Sequence, residues 1–217
     1  MTRTNSKWYF LSLLLLALIV KWLPFINLPF KWLATYFHEL SHGLMAILTG
    51  GKIQYIELYV NGGGLCVSQG GIQLLTSFIG YAGAVGWGML MVYSATLKAK
   101  VVKFISLSLV LICVLSLLLW IRDILSMLVI IAVTLTLALP LTKLATQWVK
   151  PFMMFLGIIT MLNAIYSPLY LIDGRSLGDG ATLAKLTYIP EIFWVAVWFI
   201  LGCLGLYKTW RSTYAEQ

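Results

Sequence analysis

The chain has 217 residues, 61% of them hydrophobic and 10% charged. No soluble domain of this length carries so little charge, so the composition excludes a water-soluble enzyme and indicates a polytopic membrane protein. The net charge of +8, from 15 Lys and Arg against 7 Asp and Glu, forms no dense basic stripe; it suits loops beside anionic lipid headgroups and argues against a nucleic-acid partner.

Taken in chain order, a polar and basic start at Thr2–Lys7 leads into the apolar run Trp8–Val20. No small-x-small cleavage site follows and Trp22-Leu23-Pro24-Phe25 keeps the apolar character, so an uncleaved first span is expected. Pro24 and Pro29 are expected to break the chain before a second span at about Phe30–Thr49, which stops at Gly50-Gly51. That span contains His38-Glu39-Leu40-Ser41-His42, an H-E-x-x-H pattern that uses both histidines of the chain. Residues four apart share a helix face, so His38 and His42 can grip one metal ion. Glu39 lies about 100° round the helix, beside the ion's open side, where it can act as a general base. The alternative is a chance match, or two histidines capping polar contacts. Ionisable groups at bilayer depth are costly, which favours a functional site.

Lys52–Gly71 differs in kind. Ile53, Tyr55, Glu57 and Tyr59 alternate with Gln54, Ile56, Leu58 and Val60, Asn61-Gly62-Gly63-Gly64 signals a turn, and Leu65–Gln69 offers a return strand. A β-hairpin here has to be buried in protein, lie at the interface or line a wet cavity, because open sheet edges do not face lipid. A plain interfacial loop is the other reading. The third span, Ile72–Leu97, repeats Gly80, Ala84 and Gly88 at i, i+4 and i+8, a smooth face for another helix. Gly43 and Ala46 give the second span a matching small surface, so these two helices are expected to touch, although such glycines often serve packing alone. After Lys98, Lys100 and Lys103 come a fourth span at Val101–Ile121, a short turn at Arg122-Asp123 and a fifth span at Ile124–Leu139. The sixth, Phe152–Ile172, holds Asn163 and Pro168 and should be kinked near its end. Asp173–Tyr188 is a loop, and Pro190–Tyr207 the seventh span, with Trp194, Trp198 and Trp210 as possible interface anchors. The fold expected is an all-α polytopic membrane protein of about six to seven transmembrane helices with a small β-hairpin after the motif helix. Residues 1–217 read as a single membrane-embedded domain, with a hairpin insertion at 52–71 and an acidic loop at 173–189.

Two histidines do not complete a catalytic zinc site, which takes three protein ligands and one open position. No third histidine exists, so the ligand is an acid or, less naturally, one of Cys66, Cys113 and Cys203, which have no C-x-x-C spacing. Glu57 is on the hairpin, Asp123 pairs naturally with Arg122, Glu191 suits the first turn of a helix and Glu216 is at the tail. Asp173 and Asp179 remain. Four crossings separate the end of span two from the end of span six, which returns this loop to the side of the hairpin. Each aspartate could instead be a solvated turn residue or an N-cap of span seven.

With these residues in view, the chain resembles the site-2 protease family of intramembrane zinc metallopeptidases. The likeness rests on His38-Glu39-Leu40-Ser41-His42 with Gly43, on Thr49-Gly50-Gly51 with the hairpin after it, and on Gly80-Tyr81-Ala82-Gly83. It is nearest to a short subgroup without PDZ or CBS domains, which often has proline where this chain has Ala84. Gly178-Asp179-Gly180-Ala181-Thr182-Leu183-Ala184-Lys185-Leu186-Thr187, followed by Pro190 and Trp194, is similar to that subgroup's acidic segment. Asn163, Pro168 and Ile172-Asp173-Gly174 echo the classical family pattern with wider spacing. The resemblance implies one Zn²⁺ per chain held by His38, His42 and an aspartate, Asp179 ahead of Asp173. Glu39 is then the general base, and Asn163 a substrate-binding group that steadies the oxyanion, if it does not simply bond a neighbouring helix. It further implies a hydrolase that cleaves transmembrane protein substrates in the lipid bilayer, in a cell membrane or an organelle's inner membrane. The rival class is an inactive or metal-binding scaffold or transporter.

Overall fold

A computed structural model describes residues 3–142, 146–172 and 177–213. The order is α1 (Arg3–Lys21), α2 (Pro24–Leu48), β1 (Lys52–Leu58), β2 (Gly64–Gln69), α3 (Gln73–Thr96), α4 (Ala99–Leu119), α5 (Ile124–Ala138), α6 (Val149–Tyr166), α7 (Asp179–Thr187) and α8 (Glu191–Ser212). Five helices among the described residues are long and apolar enough to cross a bilayer on their own, and a sixth span results if α1 and α2 count as one bent pair. The protein is an integral, multi-pass membrane protein.

The start of the chain differs from expectation. The prolines do not open a gap between two spans: α1 and α2 meet at a 108° corner over Trp22 and Leu23, and α2 begins at Pro24 itself. Proline suits the first helical position, where no intrahelical N–H partner exists. Pro29 lies inside α2 and deprives only the Phe25 carbonyl of its donor, on a residue that is 90% exposed.

α6 is the central helix, with every described residue from Met153 to Ile165 buried. It packs most extensively on α3. The two backbones nearly touch at Gly88 and Gly157: a β-carbon on Gly88 would lie 2.8 Å from the Gly157 carbonyl oxygen. The small-residue face of α3 is therefore divided, with Gly88 serving α6 and Gly80 and Gly83 serving α2. Gly43 of α2 makes room for Ile53 and Cys66 of the hairpin, whose atoms lie nearest to where its β-carbon would be. Beyond α6, a 3₁₀ turn at Ser167–Leu171 accommodates Pro168, the expected unwinding. Trp198 is not an interface anchor. It is 1% exposed, and its indole N–H donates to the Phe78 carbonyl at 2.9 Å.

The hairpin pairs Ile56 with Cys66 and Leu58 with Gly64, antiparallel. A bulge at Gln54 shifts the alternation, so Ile53, Ile56 and Leu58 are the buried residues of β1. The outer edge of β1 is closed by the α4–α5 corner: Ile56 N–H donates to the Trp120 carbonyl at 3.0 Å, and Leu58 N–H to Ser126 Oγ at 2.7 Å. At that corner Asp123 does not pair with Arg122. It caps α5 through Ser126 N–H, while Arg122 donates to the Leu119 carbonyl. A free helix N-terminus is the stronger claim on a short acid. Because Ile56 and Leu58 turn their N–H groups away from β2, their partners Cys66 and Gly64 turn theirs away from β1. Among the described residues no further strand pairs with β2, which is thus the open edge of the hairpin.

Candidate metal centre

Three side chains of α2 fasten the hairpin turn beside the motif. Lys31 Nζ donates to the Asn61 carbonyl at 3.0 Å, Trp32 Nε1 to Val60 at 3.1 Å and Thr35 Oγ1 to Gly62 at 2.8 Å. From behind, Ser41 Oγ donates to the Phe37 carbonyl and accepts the Trp87 indole N–H at 3.2 Å, and the Phe37 and Trp87 rings stack 5.0 Å apart. The motif helix is held on both sides.

His38 and His42 turn their Nε2 atoms toward each other at 3.0 Å, and Asp179 Oδ2 lies 3.2 Å from both. His42 Nδ1–H donates to the Thr76 carbonyl at 2.6 Å. A carbonyl accepts only, so this bond fixes the tautomer and leaves the Nε2 lone pair aimed at the other two atoms. Zinc with ligands at about 2.0–2.1 Å spaces neighbouring ligand atoms about 3.3 Å apart. The observed triangle has that size, and its two imidazole nitrogens and one carboxylate oxygen are a donor set for zinc. His38 Nδ1 is buried without a hydrogen-bond partner among the described residues; its ring packs on Tyr81, 4.3 Å away, which in turn packs on Trp198 at 4.8 Å.

Asp179 is the first residue of α7 and does not cap α8. Leu183 and Ala181 bury α7 against the bundle, and Gly180 lets the Glu191 carboxylate lie over the helix start. Asp173, the competing candidate, lies outside the described residues. Cys66 does not join the triangle: among the described residues only His38, His42 and Asp179 bring ligand atoms within 4.8 Å of one another, and burial, with the Glu39 carboxylate beside it, pushes the Cys66 thiol up to about 12. Glu57 accepts the Tyr59 hydroxyl on the exposed side of the hairpin.

Glu39 is 6% exposed, and its carboxylate faces the Cys66 backbone N–H. Gly64 makes its space: a β-carbon there would come within 2.9 Å of Glu39 Oε1. Glu39 and the three ligand candidates open onto one cavity of about 520 Å³, lined on one side by β2 from Gly64 to Cys66 and on another by Asn163. Asn163 is buried, and its Nδ2 donates within α6 to the Ile159 carbonyl at 3.0 Å rather than to a neighbouring helix.

Sequence reasoning missed two contributors. The Thr76 carbonyl that orients His42 is a backbone atom without any sequence signal. Gly80 carried the signal of a packing residue, yet its missing side chain makes room for the imidazoles: a β-carbon there would lie 2.5 Å from His42 Nε2 and 2.6 Å from His38 Cε1.

A family model described as Peptidase M50B-like matches residues 11–208. No curated protein and no solved structure matches the chain.

Proposed function

The chain belongs to the Peptidase M50B-like family, and on that premise we propose that it is a zinc endopeptidase that cleaves transmembrane protein substrates within the bilayer. The observation that carries this reading is the triangle of His38 Nε2, His42 Nε2 and Asp179 Oδ2 with a buried glutamate beside it. These three residues would hold one zinc ion, which when bound supplies Lewis acidity toward a water and a scissile carbonyl.

Glu39 accepts the proton of the attacking water and returns it to the leaving amine nitrogen. Its burial against Gly64 fixes the carboxylate at the cavity wall. Asn163 lines the cavity as the amide that steadies the substrate oxyanion. A transmembrane segment keeps its peptide groups in helical hydrogen bonds, so it must unwind before it can be cut. The β2 edge offers the unwound segment backbone partners as an added strand, apart from the Cys66 N–H, which faces the Glu39 carboxylate, and the α4–α5 corner keeps the opposite edge from competing for it.

The rival reading, a metal-binding scaffold or transporter, gives Glu39 no task. The experiment is cleavage of a membrane-embedded reporter in proteoliposomes. A zinc chelator is expected to abolish cleavage, and added zinc to restore it. Full zinc occupancy with no cleavage of any unwindable membrane reporter would favour the scaffold.

A further inference from the structure

The cavity extends well beyond the histidines. α2 presents Lys31, Thr35, Glu39 and His42 to it along one stripe. Lys31 is eight residues before Glu39, about 12 Å along the helix axis. The hairpin runs beside this stripe in the same direction. Gly62 lies against the Lys31 stem, Gly64 against Thr35 and Glu39, and Cys66 against Gly43. Lys31 is the one Lys or Arg among the described residues that line the cavity, and it forms no ion pair among them. Its ammonium spends one of three donors on the Asn61 carbonyl. Among the described residues the acids of the cavity, Glu39 and Asp179, sit at the histidine end. Lys21, near enough to interact with Lys31 electrostatically, adds positive potential there instead of neutralising it. Pinning the hairpin turn does not require the Lys31 charge, since Trp32 and Thr35 bond the carbonyls on either side of Asn61.

We propose that Lys31 is a specificity-determining subsite for a substrate carboxylate. A segment extended along β2 advances about 3.3 Å per residue, so the carboxylate is borne three to four residues from the scissile bond. Its source is an Asp or Glu side chain or the free carboxylate of a chain end; the chemistry is the same. This inference rests on reading the site as an endopeptidase.

The test uses the full chain in proteoliposomes and a membrane-embedded reporter carrying Glu, Gln or Lys in turn at each of positions two to six on either side of the cleaved bond. A further reporter ends three or four residues beyond the cleaved bond, with a free or an amidated terminus. The native chain is expected to favour Glu over Gln by at least about tenfold in kcat/KM at a position three or four residues away, the size of a charge-assisted hydrogen bond. Lys31→Met keeps the stem on Gly62 and should bring that ratio to about one, whereas Lys31→Glu should favour the Lys reporter. Preference for the free over the amidated terminus identifies a chain-end carboxylate as the source. Equal cleavage of Glu and Gln at every position, together with equal cleavage of the two termini, would overturn the subsite while leaving the peptidase intact. A preference that persists in Lys31→Met would do the same. Cleavage of none of the reporters would overturn both.

Discussion

Glu39→Gln is expected to keep zinc at about one per chain and to lower kcat/KM on a membrane reporter by about 100-fold or more, within the usual range for a lost general base. The expectation follows from two separations in the site. The atoms that could hold an ion belong to His38, His42 and Asp179, so exchanging one Glu39 oxygen for an amide nitrogen leaves that set intact. The space for the side chain is set by Gly64, and glutamine has the same shape. What changes is the capacity to take up a proton. Metal analysis and steady-state kinetics on one preparation check both halves, and a variant with native turnover would move the chemistry to another residue.

Gly80→Ala is expected to lose zinc affinity by more than the roughly 10–100-fold typical of disturbing a partner that orients a ligand. Its β-carbon would sit 2.5 Å from His42 Nε2, closer than real side chains approach, so an imidazole has to leave its position. Gly86→Ala is the control. It lies on the same helix, has nothing within 4 Å of its would-be β-carbon, and should keep zinc. Chelator competition on both variants, with thermal melts to confirm that each is folded, separates a filled ligand position from a general intolerance of alanine in α3. Equal zinc affinity in the two variants would refute this role for Gly80.

What the sequence disclosed and what it hid have a common physical basis. The two histidines and Glu39 were legible because their relation is local: helix periodicity alone puts His38 and His42 on one face. The hairpin was legible as alternation followed by a glycine-rich turn, but the bulge at Gln54, which puts Ile53 on the same buried side as Ile56 and Leu58, was not. The long apolar helices followed from apolar length, but α7 (Asp179–Thr187), short and only weakly apolar, lies in a stretch that reads as a loop, and the corner between α1 and α2 depends on tertiary packing around two prolines tolerated at the start and inside of α2. Residues with two possible uses were the least legible. Glycine spacing on α3 reads the same whether it admits a backbone, as Gly88 does, or an imidazole, as Gly80 does. Trp198 reads as a possible interface anchor from its residue type alone, but its partners, Tyr81 and the Phe78 carbonyl, are more than 100 residues away in the chain. The hairpin's tie to Lys31, Trp32 and Thr35 was hidden because backbone carbonyls leave no mark on a sequence.

The central claim is that His38, His42 and Asp179 together hold the catalytic ion. The most direct measurement is zinc competition against a chelator, with the native chain, Asp179→Asn and Asp173→Asn side by side. A neutral amide is a poor ligand for zinc, so Asp179→Asn is predicted to release the ion at far lower chelator than the native chain, with Asp173→Asn remaining close to native. Zinc held at native affinity by Asp179→Asn and lost from Asp173→Asn would contradict the account and make Asp173 the third ligand.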